Sequence, residues 1–166
     1  MRIGFGYDVH PIGSDRPLVL GGVHIEAPFG LVGHSDADVI AHAVMDAMLG
    51  ALALGDIGAH FPPGDETYRG ADSMELMAHV VALIAKEGYG LGNVDVMVLA
   101  EKPKLLPHVP AMRENIARVC GVDPGQVSIK ATTTEKLGFV GRGEGIAAQA
   151  VALLVKADES IREVAR

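Results

Sequence analysis

From Gly33 to Asp56 the chain carries no lysine, arginine or glutamate, and no other stretch restricts its fold so tightly. It opens Gly33-His34-Ser35-Asp36-Ala37-Asp38 and runs on to Leu54 chiefly in alanine, valine, leucine and methionine. Ser35 or Asp36 suits an N-cap, because a short side-chain oxygen accepts from the free N–H groups of a first turn, and no proline follows until Pro62. The spacing predicts a helix from Asp36 to about Leu54. Val39, Ile40, Ala43, Val44, Ala47, Met48, Ala51 and Leu52 form one broad apolar stripe, while Asp38, His42 and Asp46 recur every fourth residue on another. A solvated face would carry Lys and Glu. Without them, this face of acid, histidine and acid is expected to meet protein, with His42 turned toward a partner group.

A chain of 166 residues fits one domain, here taken as residues 1–166, with a core large enough to bury most of its apolar surface. Its net charge of −7 offers no basic face to nucleic-acid phosphates. The N-terminus lacks an apolar signal core, and no run approaches the roughly 18 apolar residues of a membrane span, so a cytoplasmic protein is expected. The one cysteine, Cys120, sits in an apolar helical pattern and reads as a small buried hydrophobe.

At the N-terminus Ile3, Phe5, Tyr7 and Val9 alternate with Gly4, Gly6, Asp8 and His10, the pattern of a strand with two unlike faces. The glycines are expected to clear space beside Asp8 and His10. An acid and a histidine two apart on a strand, with a histidine from a helix, can supply a carboxylate and two imidazoles to a divalent metal and leave one position open. The alternative is a surface turn ended by Pro11.

Leu18 to Ile25 reads as a hairpin turning at Gly21-Gly22, with His24 exposed. Asp56 to Asp65, including His60, holds too many breakers for regular structure. Asp72 and Glu75 suggest a capping box for a helix ending at Gly88, with Leu76, Met77, Val80, Val81 and Ile84 buried. A strand from Val94 to Ala100 leads into the proline-broken Glu101 to Pro107; a helix from Pro107 to Cys120 and a strand from Val127 to Ala131 follow. Thr132, Thr133 and Thr134 then present three hydroxyls in a row. Between Gly145 and Val155 alanine favours helix, whereas the preceding glycines permit a hairpin return, and propensity leaves both open. The order of elements favours a mixed α/β sandwich without repeats.

Gly6-Tyr7-Asp8-Val9-His10, Gly33-His34-Ser35-Asp36, Asp56-Ile57-Gly58 with His60-Phe61-Pro62, Asp72-Ser73, Pro103-Lys104, and Ala131 to Phe139 with Gly141-Arg142 together resemble the 2-C-methyl-D-erythritol 2,4-cyclodiphosphate synthase family. The likeness spans nearly the whole chain. It implies an α+β two-layer sandwich, a small mixed sheet with helices on one face, and a homotrimer with active sites between subunits. It also implies that Gly145–Val155 is a strand. The activity implied is attack of a 2-phosphate on the β-phosphorus of 4-diphosphocytidyl-2-C-methyl-D-erythritol 2-phosphate, releasing CMP.

The resemblance implies that Asp8, His10 and His42 bind zinc or another divalent transition metal, and that Glu135 helps hold Mg2+ or Mn2+ on the diphosphate. It makes His34 and Thr133 the groups that stabilise the transition state. Asp56 and Gly58 would bind the erythritol hydroxyls under a loop of Phe61, Pro62, Pro63, Gly64 and Asp65, with Ser35 at the 2-phosphate. Ala100, Glu101, Lys102, Pro103, Lys104, Leu105 and Leu106 would form the cytosine pocket, with Thr132, Thr134, Phe139 and Arg142 nearby. Arg142 also reads as a structural ion pair, and Glu101-Lys102 is more charged than this loop commonly is in the family. Two other classes stay open: a metal-dependent nucleotide phosphohydrolase, whose triad would activate water, and a non-enzymatic trimer that binds metal or nucleotide.

Overall fold

The computed structural model describes residues 1–156, so the single-domain expectation for 1–166 reaches past them. In order the elements are β1 (Arg2–Gly13), β2 (Leu18–Leu20), β3 (Val23–Ile25), β4 (Gly30–Leu31), α1 (Val39–Ala51), α2 (Ile57–His60), α3 (Ser73–Lys86), β5 (Tyr89–Leu99), α4 (Val109–Cys120), β6 (Val127–Thr132), α5 (Gly138–Gly141) and β7 (Gly145–Lys156). Five strands form one mixed sheet in the order β4-β1-β7-β5-β6, with β5 and β6 parallel and the other neighbours antiparallel. α1, α3 and α4 pack on one face, as the two-layer expectation required.

Register explains why α1 lies where it does. Gly4, Ala152, Val94 and Val127 form one cross-strand row, Gly6, Ala150, Val96 and Ile129 the next, and Asp8, Ala148, Val98 and Ala131 the third. Successive residues of a strand alternate between faces, so these rows all face the helices. Side chains are smallest on β1 and β7 and larger on β5 and β6, so α1 settles deepest over the glycines. A Cβ on Gly4 would stand 1.9 Å from the Ala47 carbonyl oxygen, and one on Gly6 2.0 Å from that of Ala43. The glycines thus make room for the α1 backbone, which corrects the expectation that they clear space for Asp8 and His10.

β7 is a central strand, as the family likeness implied and local propensity did not decide. Its Ala148, Ala150 and Ala152 are buried on the helix-facing side under α1, so burial beneath a helix overrides their helical preference. The opposite face of β1 carries Ile3, Phe5, Tyr7 and Val9, all exposed, beside Val151 of β7. Farther along the same face Lys130 pairs with Asp95.

The start of α1 differs from expectation. Asp38 is the N-cap, its carboxylate accepting from Ile40 N and Ala41 N at 3.1 Å. The same carboxylate accepts from Gly21 N at 2.9 Å and Gly22 N at 2.7 Å at the β2–β3 turn. Asp46 accepts from Ile57 N at 2.8 Å. Periodicity put both acids on the face of His42, but each is used by backbone instead. Asp38→Ala would orphan four buried or half-buried N–H groups, and should cost about 4 kcal/mol or more at roughly 1–3 kcal/mol for each unsatisfied group. The urea midpoint of unfolding checks this; an unchanged midpoint would show that the hairpin does not depend on Asp38.

Other boundaries move slightly. β1 runs through Pro11 to Gly13, and Asp56–Asp65 contains the short α2, capped by Asp56. Asp72 caps α3 by accepting from Met74 N, and Gly121 closes α4 in a left-handed conformation. Cys120 is buried, and burial pushes its thiol up to about 12. No helix among the described residues is long and apolar enough to cross a membrane.

Candidate metal centre and active site

β1 and α1 bring three ligand atoms together. Asp8 and His10 point from β1 toward the helix layer, and His42, on the second turn of α1, meets them. Asp8 Oδ2 lies 3.0 Å from His10 Nε2 and 2.9 Å from His42 Nδ1, and the two nitrogens are 3.1 Å apart. Burial works against the Asp8 charge, but hydrogen bonds and positive charge from His10 and His42 outweigh it and hold the carboxyl well below the usual carboxylate range. Burial also works against charge on His10, and the bond to Asp8 outweighs it, raising the imidazole.

The surroundings set both tautomers. His10 Nδ1 faces the Val32 carbonyl at 2.9 Å, which can only accept, so Nδ1 carries the hydrogen and Nε2 a lone pair. His42 Nε2 lies 3.1 Å from the hydroxyls of Ser35 and Ser73. Ser73 gives its own proton to the Asp36 carboxylate, so its oxygen accepts from His42 Nε2–H and leaves the lone pair on Nδ1. Three lone pairs therefore converge, which only a cation or shared protons can relieve. A tetrahedral zinc with bonds of about 2.0–2.1 Å separates its ligand atoms by about 3.3 Å, close to the spacing here, and three protein ligands leave a fourth position open. The donor set fits such an ion.

The triad opens on a cleft of about 230 Å³ that also takes in His34, Ser35, Gly58, Phe61 and Pro63. His34 Nε2–H donates to the Asp65 carbonyl at 2.8 Å, Phe61 stacks edge-on against Tyr68, and the Ser35 hydroxyl is buried against His42. Asp56 Oδ1 caps α2 through Ala59 N at 3.0 Å, and Asp65 caps the turn at Thr67. Pro62 and Gly64 belong to the same loop.

The later residues gather elsewhere. A second cleft, of about 360 Å³, is lined by Glu101, Lys102, Lys136 and Arg142. Beside it Thr133 donates to Glu135 at 3.0 Å, and Thr132 donates to the Thr133 carbonyl at 3.1 Å. The Ala100 N–H is taken by Thr132, Leu105 is buried in the core, and Leu106 and Lys104 are exposed. Arg142 pairs with Glu144 at 2.8 Å, which fits the ion-pair reading, and Phe139 lies close to Gly145. Asp8 and Ala131 share one cross-strand row, three strand spacings or about 14 Å apart. Both groups sit at the same end of the sheet, and the two clefts share no lining residue.

The sequence signature of the YgbB family matches residues 1–155. The chain belongs to the YgbB family. A protein of Trichlorobacter lovleyi named 2-C-methyl-D-erythritol 2,4-cyclodiphosphate synthase is 59% identical over 155 residues, covering 93% of this chain and 99% of that one. Among solved structures, the bifunctional IspDF from Campylobacter jejuni superimposes with a TM-score of 0.91 at 45% identity, over 95% of this chain and 42% of that larger one. IspF of Plasmodium falciparum, solved as a CDP complex, gives 0.82 at 38% identity over 95% and 97%.

Three residues of this YgbB chain escaped sequence reasoning. Ser73 and Asp36 set the His42 tautomer, and Asp46 ties the α2 loop to α1. Asp72-Ser73 was visible as a cap, but nothing local reveals that Ser73 meets a histidine 31 residues earlier.

Proposed function

We propose that this chain is a 2-C-methyl-D-erythritol 2,4-cyclodiphosphate synthase, a phosphorus–oxygen lyase of the non-mevalonate isoprenoid route. An oxygen of the substrate's 2-phosphate bonds to the β-phosphorus, the bond from that phosphorus to the bridging oxygen breaks, and CMP leaves with the bridging oxygen. The observation that carries this is the convergence of Asp8 Oδ2, His10 Nε2 and His42 Nδ1 at the head of a cleft in a chain of this family.

The reaction brings three negative phosphoryl groups together, so the protein's work is alignment and charge compensation. Asp8, His10 and His42 would hold zinc or another divalent transition metal, and Glu135, beside Thr133, would help hold Mg2+ or Mn2+. When bound, such ions supply positive charge that offsets the developing phosphoryl charge. Val32 and the Asp36–Ser73 pair keep both histidines in ligating tautomers. His34 and Thr133 would donate their N–H and O–H to the transition state in exchange for their present bonds to the Asp65 carbonyl and Glu135, and the Asp56 carboxylate and Gly58 would face the erythritol hydroxyls. Phe61 to Asp65 exclude water above them. Incubation with the diphosphocytidyl substrate should release one CMP per molecule consumed, read by ion-exchange chromatography; intact substrate after metal loading would count against it.

A homotrimer with shared sites belongs to this proposal. The separate metal and cytidine clefts support it, because each could be completed by the other half from a neighbouring subunit. So does the exposed strip of Ile3, Phe5, Tyr7 and Val9, a contiguous apolar face of the kind that marks an interface. Phe5, 61% exposed in the single chain, would be buried against its copies. Phe5→Asp should therefore give monomers by analytical ultracentrifugation and lose activity with assembly; a stable trimer would exclude this face from the interface. A cytoplasmic location goes with the pathway and with a free, buried Cys120.

A further inference from the structure

The turn carrying Thr133 and Glu135 is strained. Glu135 and Lys136 adopt φ of 52° and 64°, and two consecutive left-handed residues without a glycine are costly for L side chains. On one side the turn is closed by Gly141, where a Cβ would stand 2.1 Å from the Lys136 carbonyl carbon. On the other side stands a single carboxylate. Glu101 Oε1 accepts from Thr134 N at 2.9 Å and Lys136 N at 3.3 Å, while the Thr134 hydroxyl, 3.2 Å away, gives its one proton to the Leu137 carbonyl at 2.7 Å. The bonded N–H groups therefore flank Glu135, whose own carboxylate is left to meet Thr133 Oγ at 3.0 Å.

We infer that Glu101 is a positioning residue: its carboxylate bridges the loop after β5 to the Thr133–Lys136 turn and holds that turn in the conformation that presents Thr133 and Glu135. This rests on the proposed synthase reading for its kinetic consequence and on geometry alone for its structural one. The Thr134 N–H, opposed by desolvation and aided by Lys136 N–H, keeps the Glu101 carboxyl below its ordinary range, as expected of a carboxylate engaged by backbone donors. Although Glu101 falls within the segment expected to read cytosine, its side chain is engaged with the turn and not with the loop's own outer surface.

The test uses Glu101→Ala and Glu101→Gln in the full chain. Glutamine keeps an acceptor oxygen of the same reach; alanine removes it. In Glu101→Ala, amide exchange should accelerate in 132–137 and not in β1 or α1. Its kcat should fall about 10²-fold, the scale for a misplacement of about 1 Å, with a higher magnesium requirement, while calorimetric affinity for cytidine diphosphate stays near the parent's. Glu101→Gln should restore both protection and most of kcat. Unchanged exchange in Glu101→Ala, or failure of glutamine to restore protection, would overturn the positioning role. Lost cytidine diphosphate affinity at parental kcat would instead mean that the side chain reads the base. Were the parent itself to release no CMP, the synthase reading would fail, and the exchange arm would still decide whether Glu101 holds the turn.

Discussion

Gly6→Ala is expected to destabilise the protein by about 3 kcal/mol and to separate the metal ligands, although it adds only one methyl group. The new Cβ would lie 2.0 Å from the Ala43 carbonyl oxygen and 2.7 Å from Ala47 N. Both are helix backbone, so no side chain can rotate away, and α1 must lift from β1 by more than about 1 Å to reach ordinary contact. Overpacking in a core costs about 1–3 kcal/mol, and backbone pressed on backbone belongs at the upper end. His42 precedes Ala43 and would travel with it, opening the 2.9 Å approach of His42 Nδ1 to Asp8. Displacement on this scale costs about 10²-fold in rate. Gly50→Ala is the control: its Cβ would meet only Phe5 O, at 3.9 Å, and a helical Gly→Ala change at a compatible site stabilises by about 0.4–1 kcal/mol. Urea unfolding and zinc titration read both variants. Parental stability and metal affinity in Gly6→Ala would show that α1 does not need this close approach.

His42→Ala should abolish turnover and strip the metal. Removing the outer partner of a metal-bound histidine already costs about 10–100-fold in affinity, so deleting the ligand should weaken binding by more than about 10²-fold. The variant would also leave the Ser35 and Ser73 hydroxyls facing a void where Nε2–H had donated. Metal content after dialysis, by mass spectrometry, and CMP release give independent readouts, and circular dichroism separates either from unfolding. Full activity without bound metal would remove the triad from the mechanism.

Much of this was legible in the residues. The alternation of β1 and the apolar stripes of α1 and α3 follow from periods of 2 and 3.6, and the Gly21-Gly22 turn from glycine's turn chemistry, all of which a sequence displays directly. The triad was visible as two residues on a strand and one on a helix. What stayed hidden depends on partners distant in the chain. Asp38 and His42 lie on one helical face, yet spacing does not reveal that Asp38 turns back to cap the helix and hold Gly21 and Gly22. Local propensity could not settle β7, because its alanines are selected by the closeness of α1. Leu105 is core and Glu101 holds a turn 33 residues away, although both fall in a loop expected to line a pocket. Such roles arise from tertiary contact and leave no period to read.

Phosphorus NMR of the metal-loaded enzyme turning over its diphosphocytidyl substrate tests the central claim most directly, because it reports where the β-phosphorus ends. Cyclisation predicts two mutually coupled diphosphate resonances and one CMP signal growing together, with none from inorganic phosphate. A linear phosphate ester or free phosphate in their place would mean that the cluster of Asp8, His10 and His42 activates water, and would contradict a cyclodiphosphate synthase.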